Sequence, residues 1–161
     1  MEVCLILVIT TYNATVDHKP SNATEKNRII NNGGEIKRCR GINGHIYGPL
    51  RVFIKANLNY SLPMTRSIGD KYFWEAGVTS NPDIFSYDIS SCLFIVLGSD
   101  GIWEFLNSNE VSKIVYHYYR IGQLKRAATS IVSQAYELWE NEAIMGIDDI
   151  TAIVVGLREY Q

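Results

Sequence analysis

The stretch SSCLFIVLGSDGIWEFLNSNEV, residues 90–111, decides how this chain is read. Six apolar residues, Cys92 to Leu97, run straight into Gly98-Ser99-Asp100-Gly101, and Ile102-Trp103 and Phe105-Leu106 follow at once. The first run has the length and composition of a core strand. Asn107-x-x-Glu110 has the spacing of a capping box and predicts a helix from there to about Tyr119. Val111, Ile114, Val115 and Tyr118 then share one helical face. A single carboxylate, Asp100, therefore stands among small residues between two pieces of core, and it needs a reason.

Working outward, a longer helix is expected over about 123–142, with Leu124, Ala127, Ala128, Ile131, Ala135 and Leu138 on its apolar side. GIDDITAIVVGL, residues 146–157, then reads as a loop and a closing strand with alternation at Ile150, Ala152 and Val154. Toward the start, residues 2–11 favour a strand. DHKPSNATEKNRIINNGG, residues 17–34, carries a helix opened by a second capping-box pattern, Asn22 and Glu25, and stopped at Gly33-Gly34. Ile29 and Ile30 are its main apolar contacts, so it should lie mostly at the surface. Short strands are expected at 35–39, 45–48 and 51–55, separated by Gly and Asn turns. Another falls within LNYSLPMTRSIGD, residues 58–70. The aromatic-rich stretch from Lys71 to Asp88 is punctuated by Asn81-Pro82-Asp83. Strands followed by long helices indicate an α+β fold with helices packed over an antiparallel sheet.

The length of 161 residues suits one domain or a large part of one. An apolar fraction of 47%, a charged fraction of 20% and a net charge of −2 form an ordinary globular profile. Neither sign dominates, so no long-range attraction to nucleic acid or membrane is expected. Cys4, Cys39 and Cys92 lack metal-site spacing and are expected to be reduced thiols of an intracellular protein, cytoplasmic or nuclear. The apolar run Cys4 to Ile9 is far shorter than the roughly 20 residues that span a bilayer. Glu2 stands where a secretory signal would carry positive charge.

Asp100 follows an apolar strand, and Asp148-Asp149 immediately precede another. Taken singly, each is most simply a turn former that ties off local N–H groups. Together they admit a second reading. If strands 92–97 and 150–155 are antiparallel neighbours, Asp100 and Asp148 meet at one edge of the sheet. Two carboxylates about 4 Å apart repel by roughly 4 kcal/mol at an effective dielectric near 20, so a shared proton, an Arg or a cation must relieve them. Oxygen-only ligation selects a hard cation, Mg²⁺ or Mn²⁺, over zinc.

Five segments occur in a telling order: TVDHKPSNATEKNRIINNGGEI at 15–36, LPMTRSIGD at 62–70, GVTSNPDI at 77–84, FIVLGSDGIWEFLNSNEV at 94–111 and GIDDITAIVVGL at 146–157. Together they resemble the C-terminal half of metal-dependent PP2C-type (PPM) serine/threonine phosphatases, from about Thr15 to Leu157. The resemblance implies an antiparallel β-sandwich with flanking helices, of which only the C-terminal part is present. It implies that Asp100 and Asp148 coordinate one ion of a two-metal centre and that phosphoproteins are the substrates. Asp149 stands where the family commonly has Asn, and is assigned either an effect on metal affinity or a local hydrogen-bonding role. Asp70 and Gly101 belong to family signatures near the site without being direct ligands. Arg66 is expected to be a structural ion-pair partner, His18 a hydrogen-bonded loop histidine, and Trp103 and Phe105 core anchors.

The family's other catalytic parts are not found. There is no Asp-Gly-His-Gly-Gly stretch, no Arg-x-x-Met-Glu-Asp-like segment, and MEVCLILVITTYN replaces the Gly-Asp-Ser-Arg expected before DHKP. The chain alone is therefore expected to be catalytically incomplete. Half a sandwich should also expose sheet edges and an apolar face. The isolated chain is expected either to pair with another copy through these edges or to rearrange its strands. Two other readings stand beside the enzyme fragment: a catalytically inactive phosphatase-like binding module, and a metal-binding structural domain unrelated to phosphoryl transfer.

Overall fold

The computed structural model describes residues 2–7, 11–55, 57–142 and 146–159. They form two compact units, one built from residues 1–16 and 85–161 and the other from 17–84.

The first unit holds a four-stranded antiparallel sheet in the order β2-β1-β6-β7. Its strands are β1 (Glu2–Leu7), β2 (Thr11–Asn13), β6 (Cys92–Gly98) and β7 (Ala152–Gly156). The expected strand over residues 2–11 thus covers 2–7, and residues 8–10 lie outside the described residues. Strand β6 is central, between β1 and β7. Its alternation is clean: Cys92, Phe94, Val96 and Gly98 are buried, and the residues between them are half-buried. That period of two sets one face against helices α3 (Ser108–Tyr119) and α4 (Leu124–Glu142).

Phe94, Val96, Val111, Val115, Tyr119, Ala127, Ile131 and Ala135 make up most of this core. Ala127, Ile131 and Ala135 recur every four residues, so one stripe of α4 faces inward. The ring of Tyr119 packs on Phe94 with centroids 5.6 Å apart. The capping box expected at α3 forms in full: the Asn107 side chain accepts from Asn109 and Glu110, and the Glu110 side chain accepts from the Asn107 N–H. One element was not expected. The residues after β6 form a short helix, α2 (Asp100–Trp103), because Glu104 and Leu106 N–H groups find the Asp100 and Ile102 carbonyls.

The second unit holds helix α1 (Ala23–Asn31), a three-stranded antiparallel sheet in the order β3-β4-β5, and a 3₁₀ turn at Lys71–Ala76. The strands are β3 (Glu35–Arg40), β4 (Ile46–Ile54) and β5 (Asn57–Leu62). Helix α1 closes as expected, with Gly33 at φ +83° and Gly34 N–H bonded to the Ile29 carbonyl. Ile29 is buried, Ile30 half exposed.

Two expectations are corrected here. The strands read separately at 45–48 and 51–55 are one continuous β4. Gly48-Pro49 does not end it, because the ladder absorbs the extra residues: the register passes from Cys39 opposite Tyr47 to Lys37 opposite Arg51, and Gly48 adopts φ +71°. The second capping box does not form in full. Asn22 does cap α1, accepting from Thr24, but Glu25 turns inward and is only 1% exposed. Its carboxylate takes two hydrogen bonds from Arg28, at 2.8 and 2.7 Å, and two from Arg66, at 2.7 and 3.1 Å. Two guanidinium partners outweigh one exposed backbone N–H.

Candidate functional site

Strand β6 pairs with β7 antiparallel, from Phe94 opposite Gly156 to Gly98 opposite Ala152. This is the adjacency on which the reading of Asp100 and Asp148 depended. The pairing continues one step beyond the strands through Ser99. Its N–H donates to the Thr151 carbonyl at 3.0 Å, its hydroxyl donates to the Asp149 carbonyl at 2.8 Å, and the same oxygen accepts from the Thr151 N–H at 3.0 Å. Asp100 is the next residue on one side of this clasp and Asp148 the next on the other. Both therefore sit at the same end of the β6–β7 ladder.

Gly101 explains why the two loops lie so close. A Cβ at this position would stand 2.6 Å from the Asp149 carbonyl oxygen and 3.1 Å from Ile150 Cγ1. Only a residue without a side chain lets α2 begin against the 149–150 backbone. The Gly101 carbonyl in turn accepts from Trp139 Nε1 at 2.7 Å, and Trp139 packs edge-to-face on Phe105 at 4.9 Å. Helix α4 thus fixes the start of α2. Sequence reasoning missed this contact, since 38 residues separate donor from acceptor and no local pattern marks it.

Asp100, Asp148 and Asp149 are all exposed. Asp100 is expected among small residues between two pieces of core; in the structure the apolar run lies behind it in β6, and Asp100 itself is exposed. Asp148 is partly a turn former, its Oδ1 accepting from the Asp149 N–H at 2.8 Å. Asp149 serves the loop through its main-chain carbonyl. Among the described residues, no group of three or more His, Cys, Asp or Glu side chains is placed to hold a metal ion. The donor chemistry at this sheet end is all oxygen and open to water. It fits a hard cation that retains water ligands, and is incomplete in number for a closed site.

The other singled-out residues fall in two places. Trp103 and Phe105 pack as expected near the first unit's core, although the buried Trp103 Nε1 has no hydrogen-bond partner among the described residues. Asp70 belongs to the second unit. It adopts φ +48°, makes no side-chain cap bond, and lines a cavity of about 390 Å³ with Tyr60, Lys71, Tyr72 and Phe73. Arg66 pairs with Glu25 and also reaches Asp83 at 2.6 Å, and His18 Nε2 lies 2.8 Å from the other Asp83 oxygen. Arg66 is thus an ion-pair partner and His18 a hydrogen-bonded loop histidine, as expected. Burial alone would raise the Glu25 carboxyl, but hydrogen bonds from Arg66, Arg28 and Thr65 outweigh it and hold the group far below its ordinary value. Asp83 is lowered by its hydrogen bonds to His18 and Arg66.

The model of the family described as "Protein phosphatase 2C" matches residues 3–141. This chain belongs to the protein phosphatase 2C family. The match takes in Asp100 and ends before Asp148. Among curated phosphatase 2C proteins, "Probable protein phosphatase 2C 12" of Oryza sativa subsp. japonica is 32% identical over 148 residues, covering 91% of this chain and 36% of that protein. "Protein phosphatase 2C 1" of Paramecium tetraurelia is 33% identical over 165 residues, covering 92% of this chain and 48% of its own length. The chain therefore spans less than half the length of these phosphatase 2C relatives. The crystal structure of serine-threonine phosphatase 2C from Toxoplasma gondii shares the fold, with a TM-score of 0.80 at 20% identity over 98% of this chain and 52% of that one. The antiparallel α+β architecture is thus the phosphatase 2C fold in part.

Proposed function

We propose that this chain supplies the Asp100–Asp148 side of a metal-dependent active site that dephosphorylates phosphoserine and phosphothreonine in proteins. The observation that carries the reading is the Ser99 clasp, which draws the two acidic loops together beyond β6 and β7. Asp100 and Asp148 are the residues that would hold a Mg²⁺ or Mn²⁺ ion. Such an ion lowers the pKa of bound water and offsets charge on a phosphoryl oxygen. This chain's own part is positional: Ser99, Gly101 and Trp139 fix where the carboxylates stand.

The 161 residues carry neither the Gly-rich acidic segment nor the phosphate-binding Arg segment of the family, which supports a chain that binds the cation weakly and does not turn over alone. Two measurements test this. Calorimetric titration with Mn²⁺ should show weak binding that Asp100→Ala and Asp148→Ala each abolish; unchanged binding in both variants removes the metal site. Mn²⁺-dependent phosphate release from a phosphopeptide should be absent for this chain and present for a longer version that contains the missing motifs. Release by this chain alone would refute its incompleteness. Binding of the phosphopeptide without release by either version favours the inactive binding module.

Strand β7 has no second ladder partner among the described residues, which supports self-association of the isolated chain. Ile153 and Val155 on it are 52% and 42% exposed, opposite Leu97 and Ile95 of β6. Sedimentation should then show a concentration-dependent dimer, and a strictly monomeric species would exclude it.

A further inference from the structure

A second surface lies in the other unit, on the β3–β4 hairpin. Residues 35–55 contain five of the chain's 15 Lys and Arg residues, Lys37, Arg38, Arg40, Arg51 and Lys55, but only one of its 17 Asp and Glu residues, Glu35. In a chain with a net charge of −2 this is a concentrated basic patch. Lys37 and Arg51 face each other across the ladder, an unfavourable pairing of like charges. Each is compensated locally. Lys37 bonds Glu35 at 2.9 Å and lies over the Phe53 ring, while Arg51 donates to the Ser61 hydroxyl at 2.7 Å. Arg38 and Arg40 are exposed and make no side-chain hydrogen bond or ion pair among the described residues.

These two arginines sit on an edge. Strand β3 pairs only with β4, so its outer side presents backbone N–H and C=O groups with no ladder partner among the described residues. The tip beyond it is well defined: Gly41 N–H donates to the His45 carbonyl at 2.8 Å, and the Asn43 side chain accepts from the His45 N–H. Ile42 projects fully exposed from this tip, with Ile46 and Tyr47 half exposed beside it. An open strand edge, two uncommitted cations and an apolar rim thus lie side by side.

The geometry points to β3 as a docking edge for an extended, acidic peptide segment of a partner protein. Main-chain hydrogen bonds along an edge are the means by which a strand is added to a sheet, and flanking side chains choose its sequence. A second copy of β3 is disfavoured, because Arg38 and Arg40 would meet their own kind. An anionic bilayer would satisfy the charges but not the row of backbone donors and acceptors. The acidic peptide satisfies both. This docking is independent of hydrolysis and of the metal site, which belongs to the other unit.

The test is fluorescence anisotropy of the whole chain with a labelled peptide rich in Asp and Glu and with a Ser/Gln peptide of equal length. The acidic peptide should bind at least about tenfold more tightly, and Arg38→Glu with Arg40→Glu should remove about that factor. Affinity should also fall as salt rises from about 50 to 200 mM. Arg38→Gln with Arg40→Gln gives a milder loss and serves if the charge-reversed chain misfolds by circular dichroism. Equal affinity for the two peptides, or insensitivity to both double variants, overturns the proposal. So does binding to phosphatidylserine vesicles without binding to the acidic peptide.

Discussion

Replacing Glu25 tests whether the polar cluster in the second unit stabilises it. The carboxylate is almost wholly buried, and it is the shared acceptor for Arg28 and Arg66 and for the Thr65 hydroxyl at 2.6 Å. Glu25→Ala removes the one negative partner that Arg28 has among the described residues and leaves Arg66 with Asp83 and the Asn81 carbonyl. Removing one member of a buried pair strands the other, at a typical cost of about 3–5 kcal/mol. That is a large part of the roughly 5–15 kcal/mol that keeps a domain folded. Urea unfolding followed by circular dichroism should lose about that much, and the thermal midpoint should fall by roughly 10 °C. The pH dependence carries the same information. Because the folded carboxyl is held below its unfolded value, its contribution is fully present above the unfolded pKa, near 4.5, and is lost as pH falls through the lower folded value. Stability of the parent chain should therefore decline below about pH 5, and Glu25→Gln should flatten that decline. A Glu25→Ala loss below about 1 kcal/mol, with an unchanged acid limb, would refute the argument.

Four further outcomes follow from single contacts. Gly101→Ala should cost about 1–3 kcal/mol in urea, because the new Cβ meets the Asp149 carbonyl, which is backbone and cannot swing aside. Trp139→Phe should cost about 0.5–1.5 kcal/mol by the same measurement, losing the bond to the Gly101 carbonyl while keeping an aromatic ring beside Phe105. Asn107→Ala should cost about 1 kcal/mol by uncapping α3. Asp149→Asn should leave the urea midpoint unchanged, since the loop uses the Asp149 carbonyl and not its carboxylate.

Much of this was legible from local pattern. The β6 run, the cap at Asn107 and the stripe on α4 depend on residues within a few positions of one another, so spacing alone reveals them. The adjacency of β6 and β7 could be posed as a condition but not read, since strand pairing across more than 50 residues leaves no mark on either strand. Glu25 shows where local pattern misleads. It has the same offset from Asn22 that Glu110 has from Asn107, yet a distant arginine, Arg66, draws it into the interior. Gly48-Pro49 misled in the other direction, because turn residues also occur where a ladder absorbs a bulge. Arg66 was legible as an ion-pair residue, but its partner was not.

The acidic end of the β6–β7 ladder is held together by groups that carry no charge. Ser99 bridges the two loops, Gly101 permits their approach, and Trp139 anchors the bend from 38 residues away. Asp100 contributes its backbone to α2 and the Asp148 carboxylate ties only its own turn, so the bridge between the two loops is made by neither acid. The contact between the loops thus rests on these uncharged groups. A hard cation entering it would have little backbone left to order, and the free energy of binding would go largely into offsetting the two like charges.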